Sequence, residues 1–129
     1  MTSKDRDLLL KDICARLPYG FKYRHRGAIF DRIQEITPEG FFVSDEYNGW
    51  FDISTCKPYL RPLSDMTEEE YAVLRNIERN YLGIAPLENI SDWMPECAIT
   101  VPEYLNSRHF DYRGLIPKGL ALRARKGMY

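Results

Sequence analysis

Residues 18–20 separate two regions of different hydrophobic periodicity, and this change constrains the fold more than any other feature. Before it, apolar residues recur every three or four positions from Leu9 to Leu17, which predicts one face of a short amphipathic helix. Ser3 and Asp5 offer side chains that cap helix N-termini. The proline of residues 18–20 disfavours helix in the residue before it, and the glycine permits a turn, so the helix is expected to end near Leu17.

From residue 21 onwards apolar and polar residues alternate, which indicates strands with one packed face and one solvated face. The apolar runs are short and separated by turn-forming residues: 21–26, 28–36, 41–45, 49–54 and 56–60. Strict alternation is lost within the second run, which predicts a bulge or twist there. Asn48-Gly49 predicts a hairpin, and Pro58 is expected to confine the last strand to a sheet edge or a bulge.

A capping-box pattern marks the next helix. Thr67 and Glu70 are three residues apart, so that each side chain can bond to the backbone N–H of the other. Three glutamates in the first turn also favour a helix, because they complement its dipole. We therefore predict a helix that starts at Thr67 and stops at Gly83.

Two more capping signals follow near the C-terminal end of the sequence. Thr100 and Glu103 repeat the same spacing and predict a helix that ends near residue 108 or 109. Asp111 is expected to cap one last turn, and residues 123–129 are expected to be frayed.

These patterns predict an α+β protein of one domain, residues 1–129, which is an ordinary size for a single core. Residues 1–20 supply the N-terminal helix. Residues 21–60 supply a small curved antiparallel sheet, or an SH3-like partly open barrel, of about five strands. Residues 61–129 supply a helical part with a short extended tail. Because so few short strands are not stable alone, the flanking helices are expected to cover one open side of the sheet.

No segment has the apolar length of a signal peptide or a membrane-spanning helix. The N-terminal apolar run is Leu8–Leu10, and the longest uncharged stretch is residues 80–87, so we expect a cytoplasmic protein without membrane contact. Cys14, Cys56 and Cys97 are odd in number and widely spaced, which fits neither a disulfide framework nor a zinc knuckle. No metal and no cofactor is expected.

His109 is the residue with the clearest enzymatic chemistry. The chain has no nucleophile elbow, no phosphate-binding loop and no H-E-x-x-H motif, and these absences weigh against an enzyme. His109 lies two residues before Asp111 and is a candidate general base or metal ligand. Residues two apart rarely face each other on a helix, so a structural or simply exposed role is favoured for His109.

Ten of the seventeen aromatic residues lie between Tyr19 and Tyr59, and nine of these are in the predicted sheet. Most are expected to pack in the core, because aromatic residues favour strands for packing alone. Some lie near turns, where burial is harder, and are candidates for a binding surface with the arginines of the first strand. These candidates are Phe42, Tyr47, Trp50, Arg24 and Arg26.

The formal net charge of −1 averages over three segments of opposite sign. Residues 1–36 have eight basic and five acidic side chains, residues 37–103 have four and thirteen, and residues 104–129 have six and one. The basic ends either form a surface for phosphates or an acidic protein, or pair with the acidic middle. The candidate surface residues of the last segment are Arg108, Arg113, Lys118, Arg123, Arg125 and Lys126.

Three stretches resemble a known group of sequences: Ile13–Gly20, Lys57–Glu70 and Tyr104–Ala121. They resemble uncharacterised proteins of gut Bacteroidetes and their prophages. That group has no assigned activity, cofactor or catalytic residue, so the resemblance implies only a cytoplasmic, mobile-element setting.

The sequence therefore favours a small non-enzymatic binding or adaptor protein of a mobile element that acts through protein–protein contacts. The sheet would be its platform and the C-terminal helical segment a second contact surface. One alternative is a nucleic-acid-binding accessory protein that uses the aromatic and basic residues of the sheet with the basic C-terminal segment; its binding would weaken steeply with salt. A second alternative is a small enzyme that uses His109.

Overall fold

A computed structural model of the chain describes residues 1–44, 49–81 and 101–129. These residues contain three α-helices and seven short strands. The helices are α1 Ser3–Arg16, α2 Glu68–Tyr81 and α3 Val101–Ser107. The strands are β1 Tyr23–His25, β2 Ala28–Phe30, β3 Ile33–Ile36, β4 Phe41–Ser44, β5 Phe51–Asp52, β6 Lys57–Leu60 and β7 Leu122–Arg123. The α+β class is confirmed, and no helix in the described part of the chain is long and apolar enough to cross a membrane.

Helix α1 has the predicted end and a different start. Thr2 is its N-cap, because the Thr2 hydroxyl accepts a hydrogen bond from the Asp5 N–H at 3.1 Å; Ser3 is the first helical residue and Asp5 lies in the first turn. After Arg16 a 3₁₀ turn spans Leu17–Tyr19. The residue after it, Gly20, has a φ of +75°, which lets the chain leave the helix for the first strand.

The strands divide between two sheets, and neither sheet closes into a barrel. One has the order β2-β1-β6-β7 and the other the order β3-β4-β5. The predicted run 28–36 is interrupted at Asp31 and Arg32, so that β2 and β3 enter different sheets; the Tyr23 hydroxyl donates to the Arg32 carbonyl at this break. The expected irregularity is also present, as a shift of register between Ile33 and Glu35.

Pro58 lies in the interior of a sheet, so the prediction of an edge position was wrong. Strand β6 pairs with β1 on one side and with β7 on the other. The Tyr59 N–H donates to the Lys22 carbonyl beside β1, so the nitrogen of Pro58 faces the opposite side. There the parallel pairing with β7 begins only at Tyr59, and the missing N–H of Pro58 interrupts no ladder.

The core lies between α1 and the two sheets. Leu9 and Ile13 of α1 are fully buried against aromatic side chains of the strands. Tyr23 is central among these rings, with centroid distances of 5.7 Å to Phe30 and 6.1 Å to Phe42. The N-terminal helix therefore covers the strands, as expected from their small number.

The C-terminal segment is fastened to the sheet, so the prediction that residues 123–129 are frayed was wrong. The Ala124 N–H donates to the Leu60 carbonyl at 2.7 Å, next to the β6–β7 pairing. At the end of the segment the Tyr129 hydroxyl accepts from the Lys22 N–H at 2.7 Å and donates to the Tyr59 carbonyl at 2.8 Å. Long-range contacts of this kind are not visible in local composition, which showed only a basic tail.

The capping signals have three outcomes. At α2 the Thr67 N–H donates to the Glu70 carboxylate and the Glu70 N–H donates to the Thr67 hydroxyl, which confirms the capping box. Asp111 accepts hydrogen bonds from the N–H groups of Leu115 and Ile116, although the segment is a series of turns instead of a helix. Several predictions lie outside the described residues: the Asn48-Gly49 hairpin, the helix stop at Gly83, the cap at Thr100, and Cys97.

Candidate anion-binding site

A cleft of about 570 Å³ lies between the start of α2 and the C-terminal segment. Its charged lining consists of five basic and two acidic side chains, a surplus of three positive charges. The basic residues are Arg61, Arg108, Arg123, Arg125 and Lys126, and the acidic residues are Asp65 and Glu70. A concave surface with this surplus attracts anions.

Glu70 forms the floor of the cleft. Its side chain is only 5% exposed and accepts two hydrogen bonds from Arg61, both at 2.7 Å, and one from Arg108 at 2.9 Å. The Arg61 guanidinium is the main reason that the pKa of Glu70 falls to about 2, and the Thr67 N–H and Arg108 lower it further against the effect of burial. The floor is therefore a carboxylate that stays ionised.

Arg61 connects the floor to neighbouring segments. Besides binding Glu70, its guanidinium donates to the carbonyls of Arg108 and Asp65 and lies 4.3 Å from the centroid of the Phe110 ring. The paired Glu70 raises the pKa of Arg61, which therefore stays charged. Because these partners fix its guanidinium, Arg61 has a structural role and connects the floor of the cleft to the neighbouring segments.

Arg123 is only weakly engaged. One nitrogen of its guanidinium lies 3.0 Å and 3.2 Å from the two Asp65 oxygens, and its side chain is 64% exposed. Exposed pairs of this kind contribute about 0–1 kcal/mol. A ligand carboxylate or phosphate can therefore compete with Asp65 for Arg123.

Arg125 and Lys126 are the cations of the cleft that have no acidic partner in the described part of the chain. Both are exposed, and no ion pair joins either of them to an acidic residue within 1–44, 49–81 and 101–129. They lie in a turn closed by a hydrogen bond from the Met128 N–H to the Arg125 carbonyl at 3.0 Å. Gly127, at φ +79°, supplies the left-handed conformation of this turn. The turn thus presents two positive charges at the rim that no acidic residue of the described ranges neutralises.

Tyr129 forms a wall of the cleft and is anchored on both sides. Its ring stacks on that of His109 with centroids 3.6 Å apart, and its hydroxyl bonds to the backbone of Lys22 and Tyr59. Burial raises the pKa of the Tyr129 hydroxyl to about 12, so it remains protonated as a donor.

His109 has a packing role in this arrangement. Burial is the main cause that lowers its pKa to about 4, with contributions from Arg16, Arg61 and Arg108, so the ring is neutral at physiological pH. Its Nδ1 is buried without a hydrogen-bond partner in the described part of the chain, and His109 is not among the residues that line the cleft. His109 therefore packs against Tyr129 outside the residues that line the cleft.

The cleft brings together four predicted basic residues, Arg108, Arg123, Arg125 and Lys126. Arg113 lies elsewhere: its guanidinium donates to the buried Asp12 at 2.9 Å, so its charge is used within the fold. Tyr129 was missed as a site residue, and no local pattern in the sequence pointed to it.

The predicted sheet surface is not part of the cleft. Phe42 is fully buried, and its prediction as a surface residue was wrong because it occupies an inward position of β4, next to Phe51 of β5. Trp50 is 51% exposed and Arg24 is exposed at the centre of β1. Arg26 lies 5.5 Å from the centroid of the Phe51 ring. Tyr47 is outside the described residues.

Comparisons with known proteins do not assign this chain to a family: no protein-family model, no curated protein and no solved structure matches it. The resemblance to Bacteroidetes and prophage proteins and the cytoplasmic location therefore stay predictions. No group of three or more histidine, cysteine, aspartate or glutamate residues in the described ranges could hold a metal ion.

Proposed function

We propose that the protein is a small non-enzymatic binding protein whose basic cleft takes an acidic segment of a protein partner. One observation carries this proposal: Arg125 and Lys126 are exposed at the rim of a concave surface and have no acidic partner among the described residues. Unpaired charges at a rim accelerate association with a ligand of opposite charge and select against other ligands.

The acidic residues of the cleft favour a protein segment over a nucleic acid. Asp65 and Glu70 lie in the same lining as the arginines. A nucleic acid presents a negative charge at every phosphate and meets these carboxylates with repulsion. A protein segment can place its carboxylates against Arg125 and Lys126 and its backbone N–H groups near Asp65. The sheet arginines Arg24 and Arg26 do not line the cleft. The cleft and the sheet therefore do not form one continuous basic surface along which a nucleic-acid backbone could bind.

The test is fluorescence anisotropy of a labelled octaglutamate peptide at about 50 mM salt. We expect Arg125→Ala/Lys126→Ala to weaken binding by about tenfold, since two exposed ion pairs at about 0.7 kcal/mol each amount to one factor of ten. The matched control is Lys4→Ala/Lys11→Ala, which removes the same charge from exposed positions of α1 and should leave the affinity within twofold. Circular dichroism verifies that each variant is folded.

Two results would overturn the proposal. The first is an octaglutamate affinity that is equal for the cleft variant and the α1 control, because binding would then follow net charge alone. The second is a labelled single-stranded RNA that binds more tightly than the peptide at the same salt and is released by the cleft variant, which would identify the partner as a nucleic acid.

A further inference from the structure

An apolar groove of about 540 Å³ lies next to the basic cleft. Its apolar lining comes from Leu63 and Met66, which precede α2, and from Tyr71 and Leu74 within α2. Thr67 lines both the groove and the cleft. The two cavities are therefore neighbours on either side of the N-cap of α2.

The groove exposes side chains that the helical pattern alone would place in a core. Tyr71, Leu74 and Ile77 follow helical spacing, but only Ile77 is buried, and Tyr71 is 54% exposed. Leu63 is 48% exposed. Tyrosine is among the residue types that contribute most to binding when they are covered at an interface, and exposed apolar side chains next to each other are typical of interaction sites.

The segment between the two cavities is held by hydrogen bonds. A 3₁₀ turn spans Leu63–Asp65, the Met66 N–H donates to the Leu63 carbonyl at 3.1 Å, and Arg61 donates to the Asp65 carbonyl. The reciprocal bonds of Thr67 and Glu70 then fix the start of α2. One ligand can therefore contact both cavities without a rearrangement of the segment between them.

We propose that the groove and the cleft together bind one acidic, amphipathic segment of a partner protein, with its carboxylates at Arg125 and Lys126 and its apolar side chains over Leu63 and Tyr71. This inference rests on the function proposed above and specifies the partner's chemistry. The charge of the cleft argues for an acidic segment. The groove lining includes Glu68, which repels further carboxylates, so the part of the segment in the groove is uncharged.

The experiment selects ligands from a phage library of random peptides on the full chain. We expect selected peptides to combine a cluster of acidic residues with neighbouring apolar residues. For synthetic copies, Leu63→Ser/Tyr71→Ser should weaken binding by at least about tenfold, because truncation of one tyrosine that anchors an interface can cost this much by itself. Arg125→Ala/Lys126→Ala should weaken binding by about tenfold through the loss of two exposed ion pairs. Only Arg125→Ala/Lys126→Ala should make the affinity for the peptide less dependent on the salt concentration.

The matched control is Ile29→Ser/Trp50→Ser, which removes two exposed apolar side chains, 45% and 51% accessible, that line neither cavity. Binding unchanged in this control and weakened in the groove variant supports the inference. Selected peptides that are acidic without apolar residues, and that bind the groove variant normally, would overturn the inference and leave the function of the cleft intact. Selected peptides that lack acidic residues and are indifferent to Arg125→Ala/Lys126→Ala would overturn both proposals.

Discussion

At the scale of single residues, Glu70 connects the start of α2 to the segments that follow β6 and α3. Its carboxylate caps α2 through the Thr67 N–H and binds Arg61, which follows β6, and Arg108, which follows α3. The carboxylate is almost fully buried and Arg61 is largely buried, so their contact is partly shielded from water, and electrostatic interactions are stronger in such surroundings. Arg108 is half exposed, so its contact with Glu70 is weaker. The same side chain thus supports both the helix start and the floor of the cleft.

We predict that Glu70→Gln lowers the free energy of unfolding by about 2–3 kcal/mol, since it leaves Arg61 partly buried without its carboxylate. Urea denaturation followed by circular dichroism measures the change. The control is Glu69→Gln in the same helical turn, where the side chain is exposed; a surface substitution of this kind costs within about 0.5 kcal/mol. Equal losses for the two variants would show that the contacts of Glu70 contribute nothing beyond the helix dipole.

Asp12 and Arg16 form an ion pair whose side chains are both fully buried. Asp12 accepts from Arg16 at 2.8 Å and 3.0 Å and also from Arg113, while Arg16 donates to the Phe110 carbonyl. Removal of one partner leaves a buried charge uncompensated, so Asp12→Ala is expected to cost about 3–5 kcal/mol. Asp12→Leu/Arg16→Met replaces the pair by apolar residues and should cost less than the single substitution. A double variant less stable than Asp12→Ala in urea would contradict this.

At the scale of secondary-structure elements, local patterns predicted more of the helices than of the sheets. The start of α2 depends on two residues three apart, Thr67 and Glu70, and its periodicity is visible in the sequence. Strand pairing depends on residues far apart: the break between β2 and β3 involves Tyr23, and β7 joins β6 from the other end of the chain. A pattern of short apolar runs does not specify these partners, so the division into two sheets was not predictable.

The candidate site, like the fold, was predictable only where a local pattern in the sequence identifies its residues. The density of basic residues after residue 104 identified Arg108, Arg123, Arg125 and Lys126. It did not show that Arg113 is neutralised by Asp12, because that pair is separated by most of the chain. The cleft also needs Tyr129 in place, and Tyr129 is held by the backbone of β6 and of the residue before β1.

The C-terminal segment depends on Tyr129, and this gives a prediction for the element as a whole. Tyr129→Ala removes the stack on His109 and two hydrogen bonds to the sheet, interactions of about 1 kcal/mol each. We expect the Ala124 N–H, which bonds to the Leu60 carbonyl, to exchange with deuterium at least about tenfold faster. Tyr19→Ala is the control, because Tyr19 is also partly exposed and lies outside these contacts. Unchanged exchange at Ala124 would mean that the β6–β7 pairing alone fastens the segment.

At the scale of the whole molecule, the uneven charge along the chain is partly cancelled by pairing across it. Arg108 and Arg123 from the basic C-terminal segment pair with Glu70 and Asp65 from the acidic middle, and Arg6 near the start pairs with Asp52. Each of these pairs joins residues that are far apart in the sequence. The positive charge that these pairs do not cancel is therefore concentrated at Arg125 and Lys126, where it is accessible to a ligand.

The same arrangement predicts how stability depends on pH. The pKa of His109 is lowered from 6.5 to about 4 in the folded protein, so below pH 6.5 the unfolded chain binds a proton that the folded chain does not. The stability that the neutral His109 ring contributes is therefore fully present above pH 6.5 and is lost as the pH falls towards 4. The carboxylate of Glu70, lowered from 4.5 to about 2, acts in the same direction at lower pH, so its contribution is present above pH 4.5 and is lost as the pH falls towards 2.

We therefore predict that the urea midpoint decreases in two stages as the pH is lowered, the first below about pH 6.5 and the second below about pH 4.5. His109→Gln should weaken the first stage without abolishing it, because burial also lowers the pKa of His25. Glu70→Gln should weaken the second stage, to which Asp52 also contributes, and leave the first unchanged. Tyr129→Ala uncovers the His109 ring, so its pKa should return towards 6.5 and the first stage should become shallower. NMR titration of the His109 ring in both proteins measures this directly, and a His109 pKa that is the same with and without Tyr129 would show that the stacked ring does not cause the burial.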